Sequence, residues 1–347
     1  MKFGLAFPNS YEGVYGSIPF ASPAQLTEFA QIAEFLGYDS LWGLDLIVPS
    51  LTRRVEQNEA GMSGMTTIPT WFELLISLSY IASNTSQIKL GTGVIILPLR
   101  EPVLLAKQLA TLDNISKGRV LFGVGIGSSR VEFNSLYPRN KMFNRGLMME
   151  EALEAIKLLL SGQMVSFSGQ YYEFKDLCLT PRPVQSVIPV YISGNALNKP
   201  EKVAKRVAKW GNGWLISIAT NNETIAKRME RLYPFMDDLG RDMSELDIAA
   251  VAVQSLASNE TMGRQQYLNT RVSQRRIGGQ SLDEFVARNL IGTSNEVVEK
   301  IMKLQDQGVT SCIVTNHAID SYDELLEQIH RFSEEVMPYF PIENSKH

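Results

Sequence analysis

The sequence predicts a closed barrel of eight parallel β-strands, each followed by an α-helix. Three observations predict it. Short apolar runs alternate with longer amphipathic stretches along the whole chain. Runs such as Val120-Leu121-Phe122-Gly123-Val124 and Ser311-Cys312-Ile313-Val314 are apolar without in–out alternation, as strands covered on both faces must be. Three of the four segments that break the rhythm follow the ends of strands, where barrel enzymes keep their chemistry. An open, doubly wound sheet is the structural rival. The length of 347 residues fits one barrel as well as it fits two smaller domains.

The first strand is read at 2–7, where a lone lysine and a short apolar stretch stopped by Pro8 argue against a signal peptide. Ser22-Pro23-Ala24-Gln25 announces a helix: Ser22 can cap, Pro23 suits the first helical position, and Gln25 can close a capping box. Gly37 can end that helix with positive φ, and strand 40–43 follows. Further units are a helix at 70–83 and strand 87–97, then helix 102–116 and strand 119–125. A long helix at 145–161, strand 189–193, helix 199–209 and strand 213–217 come next. The series continues with helix 222–239, strand 246–253, and a helix at 294–307 with Thr293 and Glu296 as a second capping box and Gly308 as terminator. Strand 310–315 and helix 321–336 close it. The interruptions are 44–69, 126–144, 163–188 and 254–292. The third holds a hairpin about Ser168-Gly169, and the first reads as either a lid or a disordered stretch. A single domain over 1–340 with a tail at 341–347 is expected.

Composition narrows the function. With 33 basic and 37 acidic residues the chain lacks the basic footprint that nucleic acid demands. No apolar run approaches the ~18 residues of a membrane span. Two cysteines, Cys178 and Cys312, far apart and within apolar stretches, read as buried small hydrophobes of a reducing, cytoplasmic setting. No metal-ligand cluster, nucleophilic triad or carboxylate pair is legible.

Chemistry-bearing features gather at strand ends. Gly123-Val124-Gly125-Ile126-Gly127-Ser128 imitates a dinucleotide loop, but Arg130 occupies the place of the third glycine and no helix opens directly afterwards. Its glycines either let a flat ring lie against bare backbone or form a plain turn. Ser193-Gly194-Asn195-Ala196 runs from a buried strand toward a helix near Lys199. Free helix amides and an ammonium make a phosphate site there; a ligand-free tight turn is the alternative. Gly91 and Gly93 weaken a core strand, which marks a ligand's approach or a backbone distortion. Asp45, ending the second strand, either touches substrate or cofactor or caps a loop. His317, after the last strand, is a general acid/base candidate, whereas His330 and His347 read as solvated. So few titratable groups on a glycine-lined barrel point to a cofactor as the reagent. Aromatic candidates for a substrate pocket are Tyr11, Tyr15, Phe20, Trp71, Phe133 and Tyr137.

Taken together, Gly37-Tyr38-Asp39-Ser40-Leu41-Trp42, the stretch 90–125 with Leu112-Asp113-Asn114-Ile115-Ser116-Lys117-Gly118-Arg119, and 189–217 resemble the bacterial luciferase-like family of flavin-dependent oxidoreductases. The resemblance covers nearly the whole chain. It implies a (β/α)8 TIM barrel with insertions, a homodimer, and a reduced flavin or the deazaflavin coenzyme F420 at the C-terminal rim. It implies ring contact at Gly93 and Val94, often with a non-proline cis peptide, and a wall at Gly125, Gly127 and Ser128. It implies a phosphate turn at Gly194, Asn195 and Ala196, helped by Ser193 and Lys199. Many deazaflavin-using members end the second strand with Asp-His; here the pair is Asp45-Leu46. That departure favours a monooxygenase using reduced FMN and oxygen, with a separate flavin reductase as partner. F420-dependent hydride transfer and a non-catalytic flavin-binding relative are the alternatives.

Overall fold

The computed structural model describes residues 1–9, 22–48, 71–127, 130–137, 143–194, 199–218, 224–269, 281–316, 319 and 321–341. Its strands are β1 (Lys2–Ala6), β2 (Ser40–Gly43), β3 (Lys89–Thr92), β4 (Ile95–Ile96), β5 (Val120–Gly125), β6 (Met164–Ser168), β7 (Glu173–Cys178), β8 (Val190–Ser193), β9 (Gly213–Ser217), β10 (Asp247–Leu256), β11 (Leu290–Gly292) and β12 (Ser311–Asn316). Parallel pairings run β1–β2–β3–β5–β8–β9–β10–β12 and return from β12 to β1, so eight strands close a barrel. The predicted (β/α)8 TIM barrel is present.

The helices are α1 (Pro23–Phe35), α2 (Leu74–Ala82), α3 (Pro102–Ser116), α4 (Arg130–Leu136), α5 (Arg145–Leu160), α6 (Pro200–Trp210), α7 (Ile225–Asp237), α8 (Glu260–Asn269), α9 (Leu282–Arg288), α10 (Ser294–Asp306) and α11 (Tyr322–Glu335). Local chemistry sets their ends. Ser22 and Gln25 form the expected reciprocal box, Thr293 and Glu296 form the second, and Gly37 takes φ +82° after α1. Between helices and strands lies one continuous apolar layer that includes Phe29, Leu78, Leu109, Phe122, Ile156, Val207 and Phe332.

Six expectations need correction, the first being that no helix opens soon after the glycine run at 123–127, since α4 begins at Arg130. The run 87–97 is not one strand: β3 stops at Thr92, and β4 resumes at Ile95 to pair with Val124 and Gly125. Helix 70–83 starts only at Leu74, because Phe72 N donates to Asn9 O at 3.0 Å and the Glu73 carboxylate caps Ile76 N at 2.8 Å. β10 runs on to Leu256, since β11 gives its far end a partner (Gln254↔Leu290, Leu256↔Gly292). Cys178 is exposed rather than buried, because the β6–β7 hairpin lies half-exposed on the outside and residue 178 falls on its outer face. Phe133 packs under Leu99 and Met148 instead of facing a pocket.

The N-terminal end of the barrel is tied by polar groups. Asp247 accepts Tyr191 Oη at 2.8 Å, Ser311 Oγ at 2.6 Å and Thr310 Oγ1 at 2.5 Å. Arg119 donates to Ala82 O, Thr85 O, Thr85 Oγ1, Ile88 O and Ser116 O at 2.7–3.1 Å, so one guanidinium collects the carbonyls at the end of α2 and the start of β3. It is only 9% exposed, so removal would leave several acceptors without donors. Replacing Arg119 with Leu is expected to lower unfolding free energy by about 3 kcal/mol in urea titration; a loss below about 1 kcal/mol would contradict this assignment.

Candidate functional site at the barrel mouth

The barrel's interior is closed at mid-height by side chains. Trp42, Leu121, Tyr191, Leu215, Ala249 and Ile313 pack together, and Val94 and Val251 rest on them. The Trp42 and Tyr191 rings meet edge to face at 5.1 Å between centroids. Gly91 is the condition for that floor, because a side chain there would overlap the Trp42 ring. Gly123 serves similarly: a Cβ would overlap the Thr92 carbonyl oxygen, and Thr92 Oγ1 donates to Gly123 O at 2.7 Å.

Above the floor the chain becomes poor in side chains. A Cβ built on Gly125 would lie 3.0 Å from Val94 Cγ2 and 3.8 Å from Ser193 Cβ. The exits of β3, β5 and β8 therefore converge on one place. Gly93–Val94 is a cis peptide, as the resemblance implies. Gly93 N donates to Gly43 O at 2.6 Å. Gly127 takes φ +76°, where a side chain is disfavoured and a Cβ would meet Ile96 Cγ2 at 2.8 Å. Its carbonyl accepts Arg145 Nη1 at 3.2 Å, so α5 braces the β5 exit.

Gly194, at the exit of β8, is held close to α6. A Cβ on Gly194 would crowd Val203 of α6 at 3.1 Å, and Trp214 Nε1 donates to Gly194 O at 3.4 Å. Lys199 stands at the start of α6, exposed, and contributes no side-chain cap to the helix amides. Ser193, Gly194 and Lys199 are thus brought to one end of the barrel. Asn195, Ala196, Ser128 and His317 lie outside the described residues, as do Tyr11, Tyr15 and Phe20.

Asp45 is in place at the β2 exit, but both of its oxygens are engaged. Oδ1 pairs with Arg100 Nη2 at 2.6 Å, and Oδ2 accepts Ile96 N at 3.1 Å. Arg100 Nη1 reaches Glu73 Oε1 at 2.8 Å. Burial pushes the Asp45 carboxyl above its usual range, against the pull of the guanidinium. Burial alone would lower Arg100, but Asp45 and Glu73 carry it upward, so the arginine stays charged. Two further residues, Asn9 and Glu132, shape the mouth without having been singled out in the sequence, and Trp71, an aromatic candidate there, joins them. Asn9, fully buried, donates to Leu44 O at 2.9 Å and accepts Leu44 N at 3.1 Å; Trp71 Nε1 also donates to Leu44 O, at 3.1 Å. Glu132 accepts Ile47 N at 3.1 Å. A buried Asn at a strand exit has no pattern in sequence beyond its residue type.

A cavity of about 350 Å³ beside Glu150, Glu151, Phe167, Tyr171 and Trp210 lies against the hairpin and shares no residue with this mouth. Among the described residues no group of three or more His, Cys, Asp or Glu side chains could hold a metal ion, and no helix is long and apolar enough to cross a membrane.

The model of the luciferase-like monooxygenases matches residues 1–311. The chain belongs to that family. An F420-dependent glucose-6-phosphate dehydrogenase from Kineococcus radiotolerans is 29% identical over 233 residues, 65% of this chain and 62% of that protein, so the match spans under two thirds of the relative. Limonene 1,2-monooxygenase from Rhodococcus erythropolis is 25% identical over 285 residues, 75% of this chain and 70% of that protein. Among solved structures, monooxygenase RslO1 from Streptomyces bottropensis superposes with a TM-score of 0.77 at 21% identity, covering 98% of this chain and 100% of its own. The FMN-bound oxygenating constituent of 3,6-diketocamphane monooxygenase from Pseudomonas putida gives 0.73 at 17% identity, with 99% of each chain covered. These structural likenesses establish the shared fold. Members of the family are oxidoreductases, and the relatives named here include one that is F420-dependent and one solved with FMN.

The two glycines of β5 should separate in a mutational test. Gly123→Ala is expected to cost about 3 kcal/mol or more of stability through backbone overlap. Gly125→Ala needs only a small shift of the Val94 side chain and should stay within about 1 kcal/mol. Equal losses in urea unfolding would contradict the separate roles.

Proposed function

We propose that this chain is a flavin-dependent monooxygenase that uses reduced FMN and oxygen on a small-to-medium organic substrate. The observation that carries this reading is the β2 exit. Asp45 is committed to Arg100 and Ile96, and Leu46 follows it, so among the described residues Asp45 is no free base for withdrawing a proton from an alcohol or a sugar. A flat ring would lie against Gly125, which presents no side chain between Val94 and Ser193. Val94, Gly125 and Gly127 would face the ring and its chain, while Ser193, Gly194, Asn195, Ala196 and Lys199 would hold the phosphate. Bound reduced FMN supplies two electrons, which allow one oxygen atom of dioxygen to enter substrate while the other leaves as water. The protein's part is to orient, through the wall at Val94 and Gly125, and to exclude water.

A flavin reductase is the proposed partner that delivers the reduced cofactor. The second reading is F420-dependent hydride transfer, which the Kineococcus relative favours by name. His317 would serve there as the acid/base group. Oxidised FMN titrated into the protein is expected to bind with quenched fluorescence. Tight binding of F420 without FMN would reverse the choice. Asn195→Asp places a carboxylate beside the phosphate and should weaken FMN at least tenfold, about 1.4 kcal/mol; unchanged affinity would remove the turn from the site.

The proposed homodimer has a candidate face. Ile76 on α2 is 72% exposed and Leu104 on the neighbouring α3 is 59% exposed, with Tyr80 and Ile115 also uncovered. Ile76→Glu combined with Leu104→Glu should convert a dimer to a monomer in light scattering. A dimer unaffected by both changes would place the interface elsewhere.

A further inference from the structure

The ridge after β3 is gripped from both ends by the exit of β2. Gly43 O accepts Gly93 N at 2.6 Å, and Asp45 Oδ2 accepts Ile96 N at 3.1 Å. Val94 stands between those two anchors and rests on the barrel floor. The anchor at Asp45 is itself braced, since its other oxygen pairs with Arg100 Nη2 at 2.6 Å and Arg100 Nη1 pairs with Glu73 at 2.8 Å. The Asp45 side chain is 1% exposed and that of Arg100 14%. A carboxylate this deeply buried is tolerated only with a charged partner and a hydrogen-bond donor, and it has one of each. The chain thus keeps a costly ion pair directly behind the segment that forms the wall of the mouth.

We propose that Asp45, braced by Arg100, is a positioning residue that fixes the height and tilt of the Val94 ridge on which the cofactor ring rests. This deepens the reading of the mouth given above and rests on it. The carboxylate does not touch the ring or move a proton; it acts through Ile96 N and so through Val94. A pin that served stability alone would lower the melting temperature yet leave the spectrum of bound cofactor unchanged. A pin that sets the ridge changes the ring's contacts, and therefore both affinity and the absorption band.

Oxidised FMN, and F420 in a parallel series, would be titrated into wild type, Asp45→Asn, Arg100→Lys and Arg119→Leu. The amide of Asp45→Asn must turn its NH2 toward either Ile96 N–H or Arg100, so one of the two contacts is lost. Arg100→Lys keeps the charge but loses the fork that spans Asp45 and Glu73. Both variants are expected to raise the dissociation constant, tenfold or more for Asp45→Asn and less for Arg100→Lys. Each should also shift the visible band of the saturated complex. Arg119→Leu, destabilised at the opposite end of the barrel, should bind within twofold of wild type with an unshifted band. If Asp45→Asn does not fold, Arg100→Lys decides. Folded variants that bind within twofold with the wild-type band overturn the positioning role while leaving the mouth assignment intact. Wild type that binds neither FMN nor F420 overturns the mouth assignment and this role with it.

Discussion

A single missing side chain governs the mouth of this barrel. Three strand exits meet at Gly125, where the nearest atoms to an added Cβ would be a methyl of Val94 at 3.0 Å and the Ser193 Cβ at 3.8 Å. Parallel strands lie only about 4.8 Å apart, so a barrel's interior is ordinarily filled by its own residues. Space for a ligand appears only where the inward positions are emptied. Here the emptying is graded along each strand. Tyr191, Leu121 and Leu215 fill the middle, while Gly125, Ser193 and Ser217 come two positions later on the same faces or further toward the rim.

The two ends of the barrel divide the work. At the N-terminal end, Asp247, Arg119 and the Glu34 carboxylate gather hydroxyls, carbonyls and backbone amides into fixed networks. Burial opposes ionisation of Glu34, yet the N–H groups of Gln87, Ile88 and Ser86 hold it below its ordinary value. Its contribution is therefore present above the ordinary glutamate range and fades as pH falls through the lowered folded value. At the C-terminal end the buried charges serve a different purpose. Asp45 and Arg100 lock the backbone of a wall, and the wall itself presents no charge. On the proposed reading this mouth binds and shields, and the reaction belongs to the cofactor.

Much of this was legible in the residues. Alternation of apolar runs with capped helices gave the barrel, and the Ser22 and Thr293 boxes formed as their spacing requires. The hairpin about Ser168-Gly169 was visible as two short half-apolar stretches around a turn. What escaped was set by partners distant in sequence. The glycines at 91 and 93 hinted at a distortion, but the break after Thr92 is fixed by Gly43 and Asp45, about fifty residues away, which the run itself does not name. The roles of Gly91 and Gly123 were likewise hidden: a glycine that admits a Trp ring and one that clears a carbonyl look the same as one that admits a ligand. The partner of Asp45 lay in plain view as Arg100, but charge type alone does not tell a carboxylate that reacts from one that pins.

The central claim is that Val94, Gly125 and the turn at 193–199 bound one cofactor seat. A crystal of the protein soaked with FMN tests it most directly. The account predicts the ring against Val94 and Gly125, with the phosphate at the Ser193–Lys199 turn. Ordered FMN lying elsewhere, or a filled mouth that admits no ring in a crystal at saturating FMN, would contradict it.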